Sequence, residues 1–233
     1  MFVENKVAII TGGATGIGYL YAVELLKNGL RAAVLADVDA AKGNEAIAQL
    51  AADFGEDKVL FVETDVTDKN QVENVFKQTV KKYQNIDILI NNAGILDESV
   101  WEKEIAINLN GTFYGCLLAM EEYLPKYRSG DEAIIVNISS IVAFAFFASI
   151  PVYTATKHAI IGLSKCLSAP EHYNSLQIRV LTICPGITNT ALMTNLSKKM
   201  LNERYMDVLA IADTTREQPH QSPEDVAQAL ITV

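Results

Sequence analysis

Tyr153 and Lys157 stand four residues apart, and Ser140 precedes the tyrosine by thirteen. A free phenol has a pKa near ~10 and is a poor base at neutral pH. An ammonium held beside it favours the phenolate, and a spacing of four on a helix puts both side chains on one face. Of the nine tyrosines in the chain, Tyr153 alone has a lysine at that spacing. Ser140 follows an apolar run at 134–138, whose end is expected to open on the same crevice. Its hydroxyl would hold an alcohol or carbonyl oxygen while the tyrosine moves the proton. Ser139 satisfies the same spacing and stays open as the alternative. The plain counter-reading is that both serines only cap a strand.

A second constellation lies at the front of the chain. Gly12, Gly16 and Gly18 follow the apolar run 7–10, in the spacing G-x3-G-x-G. A glycine turn between strand and helix lets backbone amides approach a pyrophosphate at the positive helix end. Asp37 ends the next apolar run, about twenty residues on, where a carboxylate accepts hydrogen bonds from an adenosine ribose and repels a 2′-phosphate. Thr15 and Val38 supply no compensating cation. These residues point to NAD(H) rather than NADP(H). Without a ligand, the same turn would be a tight connection and Asp37 a cap for the following helix.

Apolar runs at 7–10, 32–36, 59–62, 86–90, 134–138 and 178–183 alternate with helical stretches. The helices are expected from about Ile17, over 40–54, after a cap at Thr67-Asp68, over 101–127, and from about Tyr153. The last opens at Ser222-Pro223-Glu224-Asp225, a capping serine with proline at the first helical position. Such alternation predicts a single α/β domain over 1–233: a doubly wound, Rossmann-like parallel sheet with ligands at the carboxyl ends of its strands. Pro170 is expected to kink or end the helix begun near Tyr153.

The composition narrows the functions available. Half of the 233 residues are hydrophobic, which suits a large core, and the formal charge of −9 argues against nucleic acid as a partner. The cysteines, Cys116, Cys166 and Cys184, have no metal or disulfide spacing. Residues 133–156 carry no charge, but Asn137, Ser140, Pro151 and Tyr153 make that stretch a poor membrane span. It reads better as a buried strand and an apolar pocket loop. No signal peptide is visible at Met1, so the cytoplasm is the expected location.

The glycine turn, Asp65-Val66, Asn91-Asn92-Ala93-Gly94, Asn108, Ser140, Tyr153-x3-Lys157 and Pro185-Gly186 together resemble the short-chain dehydrogenase/reductase family, over essentially the whole chain. The resemblance implies an enzyme with Tyr153 as acid/base and Lys157 binding the nicotinamide ribose while lowering the tyrosine pKa. It further implies Ser140 orienting the substrate oxygen and Asn108 holding a proton-relay water. Gly12, Thr15, Gly16, Ile17 and Gly18 would take the phosphates, and Asp65 and Val66 the adenine. Asn92, Ala93, Gly94, Pro185 and Gly186 would contact the cofactor, with Thr188 and Thr190 at the carboxamide. Metal is not implied, and a homo-oligomer is.

Within the family, Trp101-Glu102-Lys103, Pro151-Val152-Tyr153, Lys157-His158 and Ile183-Cys184-Pro185-Gly186 are similar to the 15-hydroxyprostaglandin dehydrogenase branch, with the insect alcohol dehydrogenase branch also close. That first branch carries a glutamine three residues before the tyrosine, where Ile150 stands here, so prostaglandin oxidation is not implied. The loop 141–150, with Phe144, Phe146 and Phe147, is expected to wall an apolar pocket or to form core or interface. Residues 191–215 would be a substrate lid. Family members add a further strand after a helix such as the last one, so that strand is expected to be lacking. The reading that follows is an NAD-dependent oxidoreductase turning a secondary, apolar alcohol into a ketone. Its alternatives are a non-catalytic nucleotide-binding protein on the same fold, or an NADPH-dependent carbonyl reductase.

Overall fold

The computed structural model describes residues 3–145, 147–213 and 220–232. Among them, six strands form one parallel sheet in the order β3-β2-β1-β4-β5-β6. These strands are β1 Val7–Thr11, β2 Ala32–Asp37, β3 Val59–Glu63, β4 Ile88–Asn91, β5 Ala133–Ile138 and β6 Ile178–Ile183. The order reverses between β1 and β4, the switch point at which a doubly wound sheet opens a crevice beyond its strand ends.

Both faces of the sheet are covered, which is why its strands read as continuous apolar runs rather than alternating ones. Val7 and Ile9 of β1 pack on one side with Val75 and Phe76 of α3 (Lys69–Tyr83). Ala8 and Ile10 face the other side, against Tyr21 and Leu25 of α1 (Gly16–Lys27), Leu50 of α2 (Ala40–Phe54) and Leu230 of α10 (Pro223–Thr232). Asp87, buried just before β4, ties the two central strands at their start. Its carboxylate accepts from Val7 N at 2.9 Å and from Ser129 N at 2.6 Å, with Lys6 Nζ 3.6 Å away.

The long helix expected over 101–127 is broken in its hydrogen bonding. It runs as α4 (Trp101–Ile105), a π-helical segment (Ala106–Gly111), α5 (Thr112–Leu117), a second π-helical segment (Leu118–Tyr123) and α6 (Leu124–Tyr127). Apolar periodicity does not separate i→i+4 from i→i+5 bonding, so nothing in the sequence pattern announced this.

The helix carrying Tyr153 begins two residues before it. This helix is α7 (Pro151–Leu167), with proline at its first position. Pro170 does not kink it but opens a separate helix, α8 (Pro170–Leu176). The last helix, α10, is capped reciprocally: Ser222 Oγ accepts from Asp225 N, and Asp225 Oδ2 accepts from Ser222 N, each at 3.1 Å. Asp68, not Thr67, caps α3, accepting from Asn70 N at 2.8 Å. Between β6 and α10 lie two short 3-10 turns, Ala191–Met193 and Leu196–Lys199, and the helix α9 (Glu203–Asp213). Met1, Phe146, residues 214–215 of the expected lid and residue 233 lie outside the described residues.

Candidate active site

One cavity of about 850 Å³ runs along the carboxyl ends of the strands. Every residue that the sequence assigned to a cofactor lines it, from Gly12 and Asp37 to Pro185, Gly186, Thr188 and Thr190, along with Ser140, Tyr153 and Lys157. Asn108 does not line it. That side chain is buried behind the wall, in the first π-helical segment.

The turn after β1 owes its shape to its glycines. Gly16 has φ +56° with open space where a Cβ would stand, so only glycine takes that bend without strain while leaving the cavity clear. At Gly18 an added Cβ would run into the Gly12 carbonyl oxygen, so α1 packs directly on its own entry turn. Asn92 locks the turn from β4, its Nδ2 donating to Thr11 O at 2.9 Å and Gly12 O at 3.1 Å. Asp37, at the end of β2, already accepts from Ala14 N (3.0 Å) and Asp39 N (3.1 Å). An ionised carboxylate has about four acceptor positions, so two remain for ribose hydroxyls. Lys42 of α2 also reaches the cavity rim, its Nζ 3.8 Å from Asp39 Oδ2, a cation that the reading around Asp37 had not counted.

At the other end Tyr153, 7% exposed, shares the cavity wall with Ser140. Ser139, the competing serine, spends its hydroxyl on Lys157 O at 2.8 Å. Ser140 Oγ accepts from Val142 N at 3.4 Å, so the two serines differ in what their hydroxyls already hold. Lys157 is 5% exposed; its Nζ donates to Ile138 O at 2.9 Å and stands 5.5 Å from the centre of the Tyr153 ring. Burial decides both titrations. It pushes the Tyr153 phenol up, with the nearby Glu104 carboxyl adding to the rise and Ser140 opposing it. It pushes the Lys157 ammonium down to about 8, with Glu104 and Cys184 opposing. The shift of the phenol comes from burial, Ser140 and Glu104, while the Lys157 ammonium is turned toward the Ile138 carbonyl.

Asn108 Oδ1 accepts from Ile95 N at 2.8 Å, while its Nδ2 donates to Ile95 O at 2.9 Å and to Thr156 Oγ1 at 3.3 Å. A Cβ built on Gly94 would lie 3.2 Å from Asn108 Oδ1 and 3.6 Å from Lys157 Nζ, so both groups border the same small space. Thr188 is held in place, its hydroxyl donating to Gly186 O and accepting from Gln221 Nε2, both at 3.0 Å.

An apolar cluster surrounds Tyr153 in the cavity wall, although Asp97, Lys103, Ser149 and Lys199 also line the cavity. Val142, Phe147, Ile150, Leu192 and Leu196 pack about Leu96 and the tyrosine. Phe144 does not join them: it is 72% exposed, so the aromatic run is divided between pocket wall and surface. From the expected lid, Leu192, Met193, Met200 and Leu209 reach the cavity, whereas Met206 is exposed.

Two acidic residues of this site went unrecognised in the sequence, Glu98 and Glu104, each 0% exposed. Glu98 serves as the missing cap of α7: Oε1 accepts from Tyr153 N at 2.8 Å and Oε2 from Val152 N at 3.1 Å. The signal was Ile150, an N-cap residue with no side-chain acceptor, whose helix needed one from elsewhere.

The family profile described as short chain dehydrogenase matches residues 6–201. The chain belongs to this family. Over 234 residues it is 35% identical to human 15-hydroxyprostaglandin dehydrogenase [NAD(+)], covering 100% of this chain and 87% of that protein. Alcohol dehydrogenase 1 of Ceratitis capitata is 30% identical over 231 residues, covering 99% of this chain and 89% of its own. A short chain dehydrogenase/reductase from Burkholderia phymatum, solved in complex with NAD, shares the fold with a TM-score of 0.83 at 23% identity, over 100% of this chain and 86% of that one. Among the described residues no helix is long and apolar enough to cross a membrane, and no group of three His, Cys, Asp or Glu side chains is placed to hold a metal ion.

Proposed function

We propose that the chain is an NAD-dependent dehydrogenase that oxidises a secondary, apolar alcohol to its ketone, with Tyr153 as the acid/base. The observation that carries this reading is the meeting of Ser140 and Tyr153, with Lys157 beside them, where the glycine-turn cleft joins the apolar chamber. The family and the NAD(+)-named relative at 35% identity support it.

The residues present fit NAD. The open space at Gly16 and the carboxylate of Asp37 suit a pyrophosphate and an unphosphorylated adenosine ribose, and Asp65 and Val66 flank the adenine end. Asn92, Ala93, Gly94 and Lys157 would hold the nicotinamide half, with Pro185, Gly186, Thr188 and Thr190 at its carboxamide. When bound, the oxidised cofactor supplies a hydride acceptor and one positive charge to this space. Ser140 donates to the substrate oxygen and fixes it beside the phenol. Tyr153 as phenolate takes the hydroxyl proton, a step that the surrounding positive charge must favour against burial. The walls at Val142, Phe147, Ile150 and Leu192 exclude water and select an apolar alcohol over a polar one. Ile150 replaces a hydrogen-bonding wall with an apolar one, so prostaglandins are not proposed as substrates. A soluble homo-oligomer acting in the cytoplasm is part of the same proposal.

Tyr153→Phe is the test. Its turnover of apolar secondary alcohols with NAD should fall by at least about 10²-fold, the usual contribution of a positioned acid/base, while NADH affinity stays near that of the wild type. Turnover within tenfold of wild type would overturn the assignment.

A further inference from the structure

Glu104 is the buried titratable group that the proposed reaction leaves unused. It sits on α4, one turn before Asn108, and α4 packs on α7, the helix of Tyr153 and Lys157. Its Oε2 accepts from Asp97 N at 3.1 Å, and its Oε1 is buried with no hydrogen-bond partner. A carboxylate so placed is costly unless an opposite charge shares its surroundings. Lys157 is the cation there, itself buried, with the Ile138 carbonyl as its hydrogen-bond acceptor. The charged and titratable groups near enough to act on Glu104 or be acted on by it are Glu98 and Asp97 from the preceding turn, and Lys157 and Tyr153 from α7; Cys184, after β6, acts on Lys157.

We propose that Glu104 is a positioning residue whose carboxylate, acting across the α4–α7 contact, keeps the buried Lys157 side chain charged. This rests on the reading of Lys157 as a cofactor-binding and activating cation. Two independent burdens meet in this arrangement. An unpaired carboxylate oxygen on α4 and a sparsely partnered ammonium on α7 are buried on two helices that pack together, and each lowers the cost of ionising the other. Burial pushes the Glu104 carboxyl up to about 7, against the Asp97 amide and the Lys157 charge, with the Glu98 and Asp97 carboxylates adding to the rise. The alternative is that Glu104 merely pins the backbone of Asp97.

Glu104→Gln separates the two, because the amide oxygen of glutamine still accepts from Asp97 N while the charge is lost. The measurement is the side-chain amine titration of Lys157 by NMR on lysine-labelled, ligand-free protein, with the signal assigned by its absence in Lys157→Arg. The expected result is a midpoint about one pH unit lower in Glu104→Gln, the usual effect of a neighbouring opposite charge, with Glu104→Asp between the two. An unchanged midpoint overturns the proposal. Should Glu104→Gln fail to fold, Lys157→Met serves in reverse: the Glu104 carboxyl titration, followed by carbon NMR, should move upward, and no movement overturns the proposal. An NADH fluorescence titration runs beside both. A shifted lysine midpoint in a chain that does not bind NADH supports the role of Glu104 and overturns the functional reading alone.

Discussion

In the proposed function the carboxylate of Asp37 separates two cofactors that differ by one phosphate, and its neighbourhood sharpens the test. Both oxygens already accept backbone amides, so the side chain is fixed before any ribose arrives. A 2′-phosphate would meet a negative charge that cannot swing away. Lys42 nevertheless stands on the rim, loosely paired with Asp39. Asp37→Ala should therefore weaken NADH by about tenfold or more, the worth of a charge-assisted hydrogen bond, and strengthen NADPH as Lys42 turns to it. Paired fluorescence titrations check this, and unchanged NADH affinity with no gain for NADPH would remove Asp37 from the cofactor site. The types and spacing of Gly12, Asp37, Ser140, Tyr153 and Lys157 were enough to collect these residues from the sequence. Glu98 and Glu104 were not legible in the same way. Their roles depend on which backbone amide or buried cation they meet across the fold, and one-dimensional spacing holds no record of that.

At the scale of the element, α7 shows why a helix can need help from far along the chain. Pro151 suits its first position, yet Ile150 offers no acceptor for the amides that follow. Glu98 supplies both acceptors from a turn more than fifty residues earlier. Glu98→Ala leaves one buried and one half-buried amide without that acceptor and should cost about 2–4 kcal/mol of stability, read in urea unfolding. Because Tyr153 N is one of those amides, turnover should fall more than NADH binding does. A loss of stability below about 0.5 kcal/mol, the level of ordinary surface substitutions, would show that α7 needs no such cap. Strands and helices were mostly legible, since apolar runs and turns repeat along the chain. The π-helical segments around Asn108 and Met120 were not, because an apolar face looks alike with either hydrogen-bonding pattern.

For the whole molecule, buried ionisable groups set a direction in pH. The Glu104 carboxyl is raised to about 7 in the folded chain, so that state keeps a proton which the unfolded chain releases near pH ~4.5. Its contribution to stability is full at low pH and is lost as the pH rises through about 7. The thermal midpoint of the wild type should therefore drop more than that of Glu104→Gln between about pH 5 and about pH 8, by roughly 2–4 °C for each kcal/mol involved. Parallel curves in differential scanning calorimetry would contradict this.

The cavity draws its lining from Gly12 through to Leu209, touching the ends of all six strands' following segments in turn or the loops beside them. An occupant of such a site grips the finished chain and almost nothing of the unfolded one. By mass action, a ligand at a hundred times its dissociation constant adds about 2.7 kcal/mol to folding. The lifetime of this protein before proteases would then follow the supply of its ligand, so that a starved cell loses the enzyme as well as its turnover.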